Sequence, residues 1–154
     1  FDGRIAEDFK LSTGTWVSVG PLRARVIDHF APLVRDLVFA APDRDFIGAL
    51  VFPDVEACRK LAGLGAEATP AQIVADAKVR AAFAGLAKKL AAASPGSSMR
   101  VERLILMAEP PSMDKSEATD KGSINQRAVL KNRAALVDEL YAMPLSSRVI
   151  SAEG

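Results

Sequence analysis

The chain has 154 residues, 49% hydrophobic and 25% charged, which suits one globular domain with a buried core. Twenty basic residues against nineteen acidic ones leave a formal charge of +1, so no global field draws it to nucleic acid or an anionic membrane. Aromatics at 6% are too few for base-stacking platforms, and the lone Cys58 excludes an internal disulfide, in keeping with a cytoplasmic setting.

In chain order, the first element is a β-hairpin. Phe9, Leu11, Trp16 and Val19 are bulky strand formers, and Thr13-Gly14 between them supplies the turn. A helix is expected over 21–30, where Pro21 suits the first turn and Leu22, Val26, Ile27 and Phe30 share a face. Two strands over 34–40 and 47–52 follow, joined by the polar turn Pro42-Asp43-Arg44-Asp45. Short helices lie near 55–62 and from Pro70 onward, and the longest runs over 76–93 to the loop "SPGSS". "VERLILMAEPPS" holds a third strand, apolar over 104–108 and stopped by Pro110-Pro111. A last helix is expected over 124–141, opened by a Ser123/Gln126 capping box, with Val129, Leu136, Val137, Leu140 and Tyr141 as its buried stripe.

The class is therefore α+β: a small three-stranded sheet flanked by helices, preceded by a β-hairpin that projects apart from it. No apolar run spans a membrane, since "AAFAGLAKKLAAA" is broken by Lys88 and Lys89. No signal peptide is visible. The chain opens on Phe1 rather than Met, which reads as a fragment of something longer.

Few residues suggest chemistry. His29, the only histidine, ends a helix without triad or metal partners, and Cys58 sits in an apolar helical setting that favours packing over nucleophilic use. No His, Cys and carboxylate spacing resembles a metal site. Ser12-Thr13-Gly14-Thr15 lacks the full phosphate-loop pattern and reads as a turn. Lys121 is different in placement. It lies in "EATDKGSINQR", flanked by Thr119, Asp120 and Gly122 with no neighbouring bulk, so it could enter another surface's cleft; the bland alternative is a solvated loop lysine, with Lys115 next in line.

"GRIAEDFKLSTGTWV" resembles the hinge motif of the adenylate-forming superfamily of acyl-CoA synthetases, luciferases and peptide-synthetase adenylation domains. "EATDKGSINQRAVL" resembles its C-terminal catalytic-lysine segment, and the phrasing of both is most similar to the feruloyl-CoA synthetase branch. The resemblance implies a C-terminal mobile domain over 1–154, with hinge and hairpin over 1–20, an α+β body over 21–154, and an N-terminal catalytic domain outside this chain. It implies Lys121 as the catalytic lysine, Arg4 on the adenylate ribose, Lys10 near its phosphate, and Gly14 approaching the pantetheine tunnel. Ala6 falls at the hinge position, where the family has Asp or Lys. Gly122 follows Lys121, where the family pattern has glycine before the lysine.

The implied activity is that of an AMP-forming acid–thiol ligase, with ATP, coenzyme A and Mg²⁺ bound mainly by the N-terminal adenylation domain as partner. The acid would be a feruloyl-type hydroxycinnamate, with a fatty-acid or other acyl-CoA ligase as the alternative. A stand-alone, non-catalytic binding module is the rival from another class. The isolated fragment is expected to be inactive.

Overall fold

A computed structural model describes residues 8–41, 44–94, 96 and 99–152. β1 (Phe9–Lys10) and β2 (Trp16–Val17) pair antiparallel around a turn in which Gly14 takes φ +89°. The register sets Phe9 opposite Val17 and Lys10 opposite Trp16. Phe9 and Val17 are buried, while Lys10 and Trp16 face outward.

This hairpin is a sheet of its own, but it does not project apart from the body as expected. Phe9, Leu11 and Val17 join the main core, and Ser12 bonds the Arg44 carbonyl and the Asp45 carboxylate. A two-stranded ribbon this short has no independent stability and must bury its apolar face on something. Val19, expected in the hairpin, begins α1 (Val19–Phe30) instead, its N–H capped by the Asp8 carboxylate at 2.9 Å.

The main sheet has four strands, not three: β3 (Val34–Phe39), β4 (Ile47–Pro53), β5 (Val101–Leu106) and β6 (Val149–Ser151), in that order. β4 and β5 run parallel, and the outer pairs are antiparallel. The parallel step requires a crossover, supplied by α2 (Val55–Ala62), α3 (Pro70–Ala75) and α4 (Ala77–Ala92). Their ends follow from local chemistry. Asp54 caps α2, Gly63 at φ +69° ends it, Thr69 and Gln72 form a capping box on α3, and Asp76 caps α4.

All of β4 is buried, so the sheet has a core on each face. Ile47, Ala49, Val51, Leu104, Leu106 and Ile150 meet α1, the crossover helices and the hairpin. Leu50, Phe52, Ile105, Met107 and Val149 meet Val129, Leu140 and the partly buried Ile124, Leu136 and Tyr141. The hairpin and the C-terminal helices therefore occupy opposite faces of one sheet.

The helix expected over 124–141 is two helices, α5 (Gln126–Asn132) and α6 (Ala134–Tyr141), broken at Arg133 with φ −114° and ψ 33°. Its N-cap is Asn125, accepting from Ala128 N–H at 3.2 Å, rather than Ser123. Arg133 leaves the helical path while its guanidinium is drawn into a buried ion pair described below.

Gly48 on β4 has no room for a side chain. A Cβ there would lie 2.5 Å from Leu140 Cδ2 and 3.3 Å from Tyr141 Oη. The Gly48 N–H also donates to that Oη at 3.0 Å. Because Leu140 is fully buried, it cannot swing into solvent. Gly48→Ala is expected to cost about 1–3 kcal/mol through overpacking, seen as a lower urea midpoint with an unchanged slope. An unchanged midpoint would mean that α6 yields freely.

Candidate functional site

Lys121 occupies the tip of a miniature hairpin between β5 and α5. Gly122 N–H donates to Thr119 O at 2.9 Å, and Gly122 takes φ +83°, closing the turn Thr119-Asp120-Lys121-Gly122. A bridge pairs Ala118 with Ile124, Thr119 N–H bonds Ser123 O at 3.0 Å, and Asn125 N–H bonds Glu117 O at 2.8 Å. Residues 119–123 are exposed. Among the described residues, none hydrogen-bonds or ion-pairs with the Lys121 ammonium.

The base of the turn is the opposite in character. Glu117 is only 1% exposed, and its carboxylate receives Arg133 Nη2 at 2.9 Å, Arg133 Nε at 3.0 Å and Ser112 N–H at 2.9 Å. Asn132 Nδ2 adds a longer contact at 3.4 Å and also donates to Lys115 O at 3.1 Å. Arg133 goes on to the carbonyls of Glu109 and Pro110 at 3.1 and 3.0 Å, and its guanidinium carbon lies 5.1 Å from the Phe52 ring centre. One arginine thus ties the exit of β5, the base of the lysine turn and the α5–α6 break to the sheet. The Arg133 hydrogen bonds hold the Glu117 carboxyl below the usual carboxylate range against the opposing effect of its burial, with Ser112 N–H helping.

Lys10 and Gly14 stand together on the hairpin. Lys10 Nζ lies 5.3 Å from the centre of the Trp16 ring, which is 63% exposed. Nothing lies within 4 Å of a Cβ built on Gly14, so its glycine is there for the positive φ and not for space. Lys10 and Gly14 belong to the hairpin, which packs on one face of the sheet, while the base of the Lys121 turn is tied through Arg133 to Phe52 on the other. Arg4 and Ala6 lie outside the described residues.

The remaining candidates are structural. His29 Nε2 donates to Leu86 O at 2.8 Å from the last turn of α1. Cys58 is fully buried, and burial followed by the Asp54 charge pushes its thiol up to about 11. It is expected to resist a thiol-specific chromogenic reagent at pH 8 until denaturant is added; immediate native labelling would show that α2 opens. A cleft of about 720 Å³ lies between the end of β5, α3 and the α5–α6 junction, lined by Val74, Leu106, Ala108, Leu136, Arg133 and Arg148. Among the described residues no group of three His, Cys, Asp or Glu could hold a metal ion, and no helix is long and apolar enough to cross a membrane.

The Glu117–Arg133 pair carried no sequence signal. The two lie 16 residues apart, and each reads as an ordinary solvated charge until the helix break brings them together.

The family described as AMP-binding enzyme C-terminal domain matches residues 7–144. No curated protein gives a significant match. Among solved structures, the fold is similar to the A-PCP didomain of carboxylic acid reductase from Segniliparus rugosus in complex with AMP. That pair shares 20% identity and a TM-score of 0.59, over 87% of this chain and 17% of that one. The adenylation domain of the carboxylate reductase from Mycobacterium chelonae gives 20% identity and a TM-score of 0.59, over 90% of this chain and 20% of that one. The chain thus spans about a fifth of the length of the structures it matches.

Proposed function

The chain belongs to the family of AMP-binding enzyme C-terminal domains, and on that premise we propose that it is the mobile lid of an ATP-dependent, AMP-forming carboxylic acid–CoA ligase. The observation that carries the reading is Lys121 at the exposed tip of a clamped turn, with no partner for its ammonium among the described residues and with the base of the turn tied through Arg133 to Phe52 on the sheet face opposite the hairpin.

Adenylation brings a carboxylate oxygen onto the α-phosphorus of ATP and expels diphosphate. Two anions must meet while charge builds on phosphorus, and a preorganised ammonium between them lowers that barrier. In the second step a thiol sulfur attacks the acyl-adenylate carbonyl and AMP leaves. The lysine must then clear the carbonyl. A lid bearing Lys121 on one face and the Gly14 hairpin on the other meets both needs by turning.

In this reading Lys121 is catalytic, Arg4 and Lys10 contact the adenylate, and Gly14 borders the path of the pantetheine arm. ATP, coenzyme A and Mg²⁺ are held mainly by an N-terminal adenylation domain. The acid is a feruloyl-type hydroxycinnamate, and the enzyme works in the cytoplasm.

The test is acid-dependent AMP release by the full-length protein, with hydroxycinnamates and fatty acids compared and CoA present or omitted. Release with ferulate that CoA accelerates is the expected result. A preference for long fatty acids would replace the substrate, release without CoA consumption would replace the acceptor, and no release with any acid would favour a non-catalytic module.

A further inference from the structure

We propose that the buried Glu117–Arg133 ion pair is the positioning device that holds the Lys121 turn in register for adenylation; this rests on the function proposed above. The turn has no packing of its own, because residues 119–123 are exposed. Its two legs meet the body at Glu117 and Asn125, joined to each other by the Asn125 N–H to Glu117 O bond at 2.8 Å. The Asn125 leg is held by the partly buried Ile124 and the buried Gln126, whereas the Glu117 leg is anchored by a buried ion pair.

That anchor is unusually complete. The carboxylate of Glu117 accepts from Arg133 Nε and Nη2 and from Ser112 N–H, while Glu117 N–H donates to Ser112 O at 2.8 Å. Residues 112–117 are thereby folded into one unit that cannot slide without breaking a buried charge pair. Arg133 in turn is fixed by the Glu109 and Pro110 carbonyls and the Phe52 ring. The α-helix is interrupted at the residue that makes these contacts. Two charged groups with 1% and 11% of their side chains exposed are an expensive way to hold a surface loop that does nothing. Holding a cation in a reacting geometry is a task that does require it.

Neither residue touches reacting atoms in this account; both act through Lys121. Loosening the anchor should therefore lower the rate of adenylation without altering what binds. A misplacement of about 1 Å at a reacting group costs on the order of 10²-fold, so a partial loosening is expected to cost about 10- to 10²-fold.

The experiment uses the full-length protein with Glu117→Gln, which keeps the shape and removes the charge, and Arg133→Lys, which keeps the charge and removes the fork. Both half-reactions are measured: acid-dependent exchange of diphosphate into ATP, and attack of CoA on pre-formed acyl-adenylate. The expected result is a loss in the exchange rate constant, with KM for ATP and the second half-reaction near wild type. Asp138→Asn, which breaks an exposed 3.7 Å pair with Arg44, serves as the control and should change nothing.

Wild-type exchange in both variants, or equal losses in both half-reactions, would overturn the positioning role. Lys121→Ala, run alongside, separates the two levels. Loss of exchange there with none in Glu117→Gln or Arg133→Lys removes only the anchor's role. No loss in Lys121→Ala removes the function proposed for the turn and the anchor's role with it.

Discussion

Replacing Lys121 by alanine in the full-length protein is expected to slow adenylation by about 10²–10³-fold, the cost of losing one preorganised charged donor at a developing anion, or about 3–4 kcal/mol. The CoA half-reaction on pre-formed adenylate should be nearly untouched. Folding should not change, because the side chain is exposed and has no partner among the described residues. Lys121→Arg should rescue poorly, since a planar guanidinium does not reproduce a compact ammonium. Equal losses in both steps would mean that the substitution disturbs docking of the domain. No loss in either would return Lys121 to a solvated loop residue, with Lys115 next to test.

The largest effect on stability is expected at Arg133. Arg133→Met leaves the Glu117 carboxylate buried and unpaired, which typically costs about 3–5 kcal/mol. Replacing both partners by apolar residues, Glu117→Leu with Arg133→Met, should recover much of that loss, because it removes the desolvated charge as well as its partner. The pH dependence has a definite sign. In the wild type, the Arg133 hydrogen bonds lower the Glu117 pKa in the folded state. Its contribution is therefore complete above the ordinary carboxylate value of 4.5 and is lost as pH falls through the depressed folded value. The gap between wild type and Arg133→Met should narrow on acidification, since protonation removes the unpaired charge in the variant and the paired one in the wild type. Urea titrations at pH 7 and in the acid range read this directly. A gap that stays constant with pH would mean that Glu117 is not the group responsible.

Much of the fold was legible from apolar runs and end signals. The strands around Leu37, Leu50 and Ile105 announce themselves by continuous burial-prone residues. β6 was not legible, because three residues are too few to show an alternation. The hairpin was visible, but its docking was not. Phe9, Leu11 and Val17 advertise an apolar face without saying what covers it.

At the site, the exposed lysine could be singled out from the small and acidic residues around it. Its support could not, because the break at Arg133 is a tertiary choice that overrides an otherwise helical pattern. Arg4 and Ala6, the hinge residues that the resemblance implies, lie outside the described residues.

In the function proposed for this chain, one domain presents two opposite faces to one reacting centre in turn. The most direct measurement is a pair of distances in the full-length protein, from a spin label in the adenylation domain to labels at Asp120 beside the lysine and at Thr13 on the hairpin. With ATP and the acid bound, Asp120 should be the nearer label and Thr13 the farther. With the acyl-adenylate and a non-reactive CoA analogue bound, the order should reverse. Distances that keep the same order in both states would contradict the account.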